Sequence, residues 1–380
     1  MSEILLAGQD PGIADHYLWC TPRTVTWGTL PTPRSAPVLR IASGETVTFD
    51  TVSQEGLMED QGRDPVRYFG AHGVPAAQVL DDAVELARSD LHRMPSPAGP
   101  HIVLGPVHVD GALPGDWLRV DFLELRPRVP YGVISTRHGR GLLPGRFPEP
   151  GGEPVQSAFC RLEQDPDGGG TRARFAHRGG SALIGVRPFL GLCGVTPAGS
   201  TPRSSIPPGP FGGNIDLREL VAGTSLYLPV QTAGAGFYLG DPHLAQGNGE
   251  IALTALEGSL RVTVRLSLAR EPAPPPVAPW ALTPRHWILT GLDADLDEAM
   301  RRCAEQAVEL LVQRTGMTPT QAYLYLSAAG DFAVTQVVDR VKGVHCLIDR
   351  SPIEHGLIDR NLVEHGLIEH GPVEHGPVGV

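Results

Sequence analysis

The chain has 380 residues, 41% of them hydrophobic and 19% charged, which is enough length and apolar content to bury a large core. A formal net charge of −11, with no cluster of Lys and Arg, argues against a nucleic-acid partner, because phosphate binding depends on concentrated positive charge. Five cysteines without a CxxC pair argue against a disulfide framework or a cysteine zinc site, and no apolar run reaches the roughly 18 residues of a membrane span.

In chain order, Met1 to Asp10 lacks the basic and apolar regions of a signal peptide. Val38 to Ile41 and Glu45 to Phe49 read as short strands, the second with the period-2 alternation of a half-buried one. Asp50 to Gly73 reads as a polar loop, and Gln78 to Arg93 as a helix. Ile102-Val103-Leu104, Val107-His108-Val109 and Trp117 to Phe122 read as strands, separated by Gly-Pro and Pro-Gly-Asp turns. Residues 163–180 are polar and Gly-rich, as in a surface hairpin or an insertion. Leu226 to Val230 and Leu260 to Leu268 are the clearest strands of the next stretch, and residues 271–284 form a proline-rich connector.

Two helices follow. Asp295 to Gly316 has one apolar face, with Asp295 and Glu298 resembling a capping box and Gly316 as the stop. Thr318-Pro319-Thr320-Gln321 opens a second helix running to about Ala329. From residue 347 the chain repeats LIDRSPIEHG, LIDRNLVEHG, LIEHG and PVEHG, a pattern too short for a solenoid. Residues 347–380 are therefore expected to be a disordered, low-complexity tail. The body divides into an N-terminal β-rich part, 1–185, and a C-terminal β-plus-helical part, 186–346. With Gly (46) and Pro (37) common, the pattern predicts an α+β, β-rich fold.

Chemistry concentrates in two glycine-bracketed segments. Residues 209–217, GPFGGNIDL, place Asn214 and Asp216 on a tight turn after Gly212 and Gly213. Residues 240–250, GDPHLAQGNGE, gather Asp241, His243, Gln246, Asn248 and Glu250. Carboxylate plus imidazole suits zinc, or a harder ion if more oxygens join. Alone, the first segment reads as an Asx-type turn and the second stands even with a polar hairpin. His16 and His101, at predicted strand edges, matter only if the fold brings them to the same cavity. No GxSxG elbow, P-loop or HExxH helix is present.

At these segments the chain resembles the acetamidase/formamidase family, in order from about residue 16 to 350. The likeness is carried by HYLWCTPRTVTWG, PHIVLGPVHVDGALPGD, GRGLLPGRFPEP, RPFLGLCGVTPAG, IPPGPFGGNIDLRELVAGTSLYLPV, GAGFYLGDPHLAQGNGE and the segments TGLDADLDEAMRRCAEQAVELL and AYLYLSAAGDFAVTQVVDRVKGVHCLI. The resemblance implies a jelly-roll-like β-sandwich core with accompanying helices in the C-terminal part. It implies a cytoplasmic homo-oligomer that hydrolyses short amides with a divalent metal, zinc or calcium.

Under that resemblance, Asp216, His243 and His101 are expected to hold the metal, with Asp241 or Glu250 as a further carboxylate. Glu250 is expected to act as general base, with Asn214 and Asp241 in the catalytic set. Gly212, Gly213, Phe211 and Gln246 are expected to meet the substrate. The chain departs from the family at Phe211, where the family carries histidine, at Asn248, where it carries aspartate, and at Ile134, where it carries asparagine. These departures leave open a metal-stabilised binding protein without activity, or a hydrolase of a larger amide.

Overall fold

The computed structural model describes residues 4–9, 12–91, 98–165, 168–269, 278–351 and 353. Two large sheets carry the fold. The first has nine strands, in the order His16–Trp19, Thr46–Asp50, Leu260–Ala269, Trp117–Pro127, Ser225–Pro229, Trp280–Leu282, His286–Asp293, Lys342–Asp349 and Gly330–Gln336. The second has eleven strands. Its main path runs Gly180–Gly185, Thr171–His177, Val155–Gln164, Tyr131–Arg137, Leu256–Glu257, Phe237–Ala245, Phe189–Val195 and Gly212–Asn214. Ile102–Val109 pairs with Phe237–Ala245 and brings Val25–Trp27 and Leu39–Ile41 into the same sheet. Each sheet draws strands from both sides of residue 185.

Side-chain alternation along the first sheet builds a core on each face. Leu118, Val120, Leu226 and Leu228 join the core shared with the second sheet, where the Phe49 and Phe237 rings meet edge to face at 6.1 Å. Their neighbours Trp117 and Tyr227 turn the other way, onto a second core with Trp280, Trp287, Leu289, Ala299, Cys303 and Leu311. The molecule is thus a β-rich, two-sheet arrangement with helices against the far face of one sheet.

Caps set those helices, although the box expected at Asp295 forms only in half, since the Glu298 carboxylate accepts from Arg301 and Arg302 instead. Leu296–Thr315 starts at Asp295, whose carboxylate accepts from the Glu298 N–H, and stops at Gly316 with φ 71°. Pro319–Ala329 opens on the full reciprocal box between Thr318 and Gln321.

Elsewhere tertiary context changes the outcome. The helix expected over 78–93 forms only as Asp81–Arg88, and residues 92 and 93 lie outside the described residues. A short helix, Pro65–Gly70, occupies part of the predicted loop, capped by the Asp64 side chain. Gly105-Pro106 does not end a strand. Ile102–Val109 is continuous, and its register on Phe237–Ala245 shifts across that dipeptide, so a glycine at φ 135° and a proline without N–H make an irregularity rather than a turn. Leu347 to Asp349 belong to the last strand, not to the repetitive tail, and residues 354–380 lie outside the described residues.

Candidate metal centre

The segment around Asp241 is not a loop. Phe237–Ala245 is a buried strand in the middle of the second sheet, flanked by Ile102–Val109, Phe189–Val195 and Leu256–Glu257. Asp241 and His243 lie two residues apart, so the pleat sends both side chains to the same face. Gly240 and Pro242 disguise this as turn sequence. Proline is rare within a central strand, and here it sits beside the register shift between His243 and Ala245.

His243 Nε2 stands 3.0 Å from Asp241 Oδ2 and 3.2 Å from Glu257 Oε1. Neither approach has hydrogen-bond alignment, and Nε2 is left without a partner. Ligand atoms held 2.0–2.2 Å from one ion lie roughly 3–3.5 Å from each other, so these contacts have the spacing of a shared coordination sphere. A ligand atom each from Asp216, His243 and Glu250 lies within 4.8 Å of the other two, and the same holds for Asp241, His243 and Glu257. His101 stands further out. Its Nε2 is 3.9 Å from Asp241 Oδ2, while Nδ1 pairs with Ser205 Oγ at 2.9 Å.

The backbone is bent to make this convergence. Asp216, Asp241 and Glu250 all have positive φ, at 55°, 50° and 46°. A non-glycine residue held there is strained by about 1–3 kcal/mol. Gly191, on the neighbouring strand, leaves the space that the cluster fills. A Cβ at that position would stand 2.5 Å from Asp216 Oδ1 and 2.5 Å from Asp241 Oδ2. Both Asp216 oxygens are buried and have no hydrogen-bond donor among the described residues.

Charge is out of balance. Burial, then Glu250 and Asp339, push the Asp216 carboxyl well above its usual range, and burial does the same to Glu250. Burial raises Glu257 and Asp339 to about 7. Burial opposes charge on Asp241 too, but His243 and His101 outweigh it and hold that carboxyl low. Burial disfavours the His243 imidazolium, yet Glu257 and Asp241 drive its pKa well up. Asp216, Asp241, Glu250, Glu257 and Asp339 thus crowd around one strongly basic imidazole. Orphaned oxygens, a cradle kept open by glycine and carboxylate excess all fit a divalent cation.

The remaining expected site residues fall around this cluster. The Gln246 amide is committed to His243 and to two backbone carbonyls rather than turned toward open space. Gly212 and Gly213 take φ of 85° and 83°, and the Gly212 N–H is spent on the Gly209 carbonyl. The Asn214 side chain is buried, and its Oδ1 has no hydrogen-bond partner among the described residues. The Phe211 ring is buried against Gly209 and Gly213 under the Arg203 guanidinium. Asn248 is exposed, so its difference from the family's aspartate faces water. His16 is elsewhere, paired with Glu45.

Sequence reasoning missed Glu257, Asp339, Gln54 and Gly191. Gln54 Nε2 donates to Asp241 Oδ1 at 3.2 Å and to Glu257 Oε2 at 3.3 Å. None of them stands in a motif. Asp339 and Gly191 lay within segments that carried the family resemblance, whereas Glu257 and Gln54 did not. Glu257 also borders a cavity of about 20 Å³ lined by Ser53, Leu57, Phe69 and Tyr131, room for one small group.

Residues 194–348 match the Acetamidase/Formamidase family. A candidate formamidase of Schizosaccharomyces pombe is 25% identical over 316 residues, spanning 66% of this chain and 74% of that protein. The formamidase of Methylophilus methylotrophus is 25% identical over 217 residues, covering 45% of this chain and 52% of the enzyme, so that alignment spans about half of the relative. The crystal structure of an acetamidase from Bacillus halodurans has the same fold, with a TM-score of 0.69 and 24% identity over 89% of this chain and 99% of the other. Residues 194–348 are thus similar to the Acetamidase/Formamidase family, and the chain shares the fold of a solved acetamidase.

Proposed function

We propose that the chain hydrolyses a small linear amide, of formamide or acetamide size, to carboxylate and ammonia with a divalent metal at this centre. The observation that carries the reading is the donor set around His243, where two buried triads share the imidazole, one with Asp216 and Glu250 and one with Asp241 and Glu257. His243, Asp241, Asp216 and Glu257 would hold the ion. An imidazole among the donors favours zinc over calcium, which prefers six to eight oxygens. Bound there, a divalent cation supplies Lewis acidity toward the amide carbonyl and lowers the pKa of water.

The chain's own residues do the rest. Glu250 is buried beside Asp216 and His243, and burial raises its proton affinity toward that of a useful base. Glu250 accepts a proton from the attacking water and delivers one to the amide nitrogen. Without that proton the leaving group would be an amine anion, too poor to expel. Asp339 adds negative charge beside Asp216 and so strengthens the site's demand for a cation. The chain's free, buried cysteines support a reducing, cytoplasmic setting, and the family resemblance supports a homo-oligomer.

The test is ammonia release from amides graded by acyl size, with metal content measured on the same sample before and after chelation. Release from formamide or acetamide that stops on chelation and returns with zinc is the expected result. Full activity in metal-free protein would remove the metal from the mechanism.

A further inference from the structure

We propose that Gln246 is the positioning residue that sets the tautomer of His243, and so decides which ring nitrogen offers its lone pair to the cluster. This rests on the metal-dependent reading above.

Gln246 follows the Phe237–Ala245 strand and folds back so that its Oε1 stands 3.1 Å from His243 Nδ1. The other end of the same amide, Nε2, donates to the Asp216 carbonyl at 2.9 Å and faces the Thr335 carbonyl at 3.4 Å. Main-chain carbonyl oxygens only accept. Rotating the amide by half a turn would set its oxygen against both of them, so the NH₂ must lie on that side. Oε1 must then face the imidazole. An amide oxygen also only accepts, so His243 Nδ1 is the donor and carries the proton. In the neutral ring the lone pair therefore sits on Nε2, the atom 3.0 Å from Asp241 and 3.2 Å from Glu257. The opposite tautomer would point an N–H into the cluster and could not ligate through Nε2.

The amide is itself held rigid. Thr335 is fixed by its hydroxyl, 2.8 Å from the buried His345 Nδ1, and its carbonyl also receives the Gly249 N–H at 3.0 Å. One side chain thus ties together the strand carrying His243, the strained turn carrying Asp216 and the C-terminal hairpin that braces the Glu250 turn. Outer partners of a ligating histidine commonly contribute 10–100-fold in metal affinity.

The experiment pairs ¹⁵N spectra of histidine-labelled, zinc-loaded protein with zinc affinity by competition against a chelating dye. His243 is assigned by its absence in His243→Ala. The wild type is expected to carry a proton on His243 Nδ1. Gln246→Leu is expected to bind zinc about 10–100-fold more weakly while melting as a folded protein. Gln246→Glu, which keeps an acceptor toward Nδ1 but sets its second oxygen against the two carbonyls, is expected to keep the wild-type tautomer while binding zinc more weakly than wild type. A wild-type His243 with an unprotonated Nδ1 overturns the proposal and needs no variant to fold. So does a folded Gln246→Leu that binds zinc as tightly as wild type. A wild type that binds no zinc at all overturns the metal-dependent reading instead, and this inference falls with it.

Discussion

Two of the buried ionic clusters differ in whether their charges are answered. In the first, Asp50 accepts from Arg261 at both oxygens, each at 2.7 Å, and from Tyr17 Oη at 2.5 Å. Arg128, with a fully buried side chain, pairs with Asp82 at 2.7 Å and caps the carbonyls of Thr51 and Leu5. Two carboxylates meet two guanidinium groups, and their hydrogen-bonding atoms are used. In the second, around His243, carboxylates outnumber cations, Asp216 has no donor at either oxygen, and three backbones are strained. A satisfied cluster ties the N-terminal segment to the sheets and asks for nothing more. An unsatisfied one costs stability, which makes it the place to look for a ligand and for chemistry.

Mutations should separate the two clusters. Glu250→Gln should lower turnover on the order of 10²–10⁴-fold while zinc content is kept, read by ammonia release and metal analysis. Normal turnover would remove Glu250 as the base. Arg128→Ala, in the satisfied cluster, should destabilise the fold by about 3–5 kcal/mol in denaturant titrations by stranding Asp82 and Asp50. Its zinc affinity should stay at the wild-type value, and a shared loss would show that the clusters are coupled.

Zinc at 100 times its Kd should raise unfolding free energy by about 2.7 kcal/mol, and Gly191→Ala should abolish that gain because its methyl group enters the cradle. The pH dependence has a definite sign. Asp216, Glu250, Glu257 and Asp339 all have raised proton affinity in the folded chain, so their contribution is present at low pH and lost as pH rises. The zinc-free protein should therefore lose stability as pH rises through about 7, where Glu257 and Asp339 titrate. Zinc should bind more tightly over the same range with release of protons, measured by calorimetry in buffers of different ionisation heat. The smallest effect lies far from both clusters. Asp295→Ala should cost about 1 kcal/mol through the lost helix cap and leave activity untouched.

Much of this contrast was invisible in the sequence, and particular residues say why. Asp216, Asp241, His243 and Glu250 stood out because short polar side chains among glycines are dense there, and the structure gathers them around His243. Glu257 sits in an ordinary strand end, and Gln54 in what reads as a plain polar loop. Their roles arise only when the Leu256–Glu257 strand pairs with Phe237–Ala245 and the loop after Thr46–Asp50 folds over both. Gly191 looks like one glycine among 46, yet its missing Cβ is what lets two carboxylates share a space.

By itself the sequence determined whatever depends on near neighbours along the chain. The caps at Asp295 and Thr318, the stop at Gly316 and the strands of period two all come from groups a few residues apart. Tertiary structure alone decided that Gly240-Asp241-Pro242 runs as a central strand and that Gln246 turns inward to His243. It alone decided that carboxylates from distant segments crowd one imidazole. Those outcomes are set by which strands become neighbours, and burial there outweighs local turn preference.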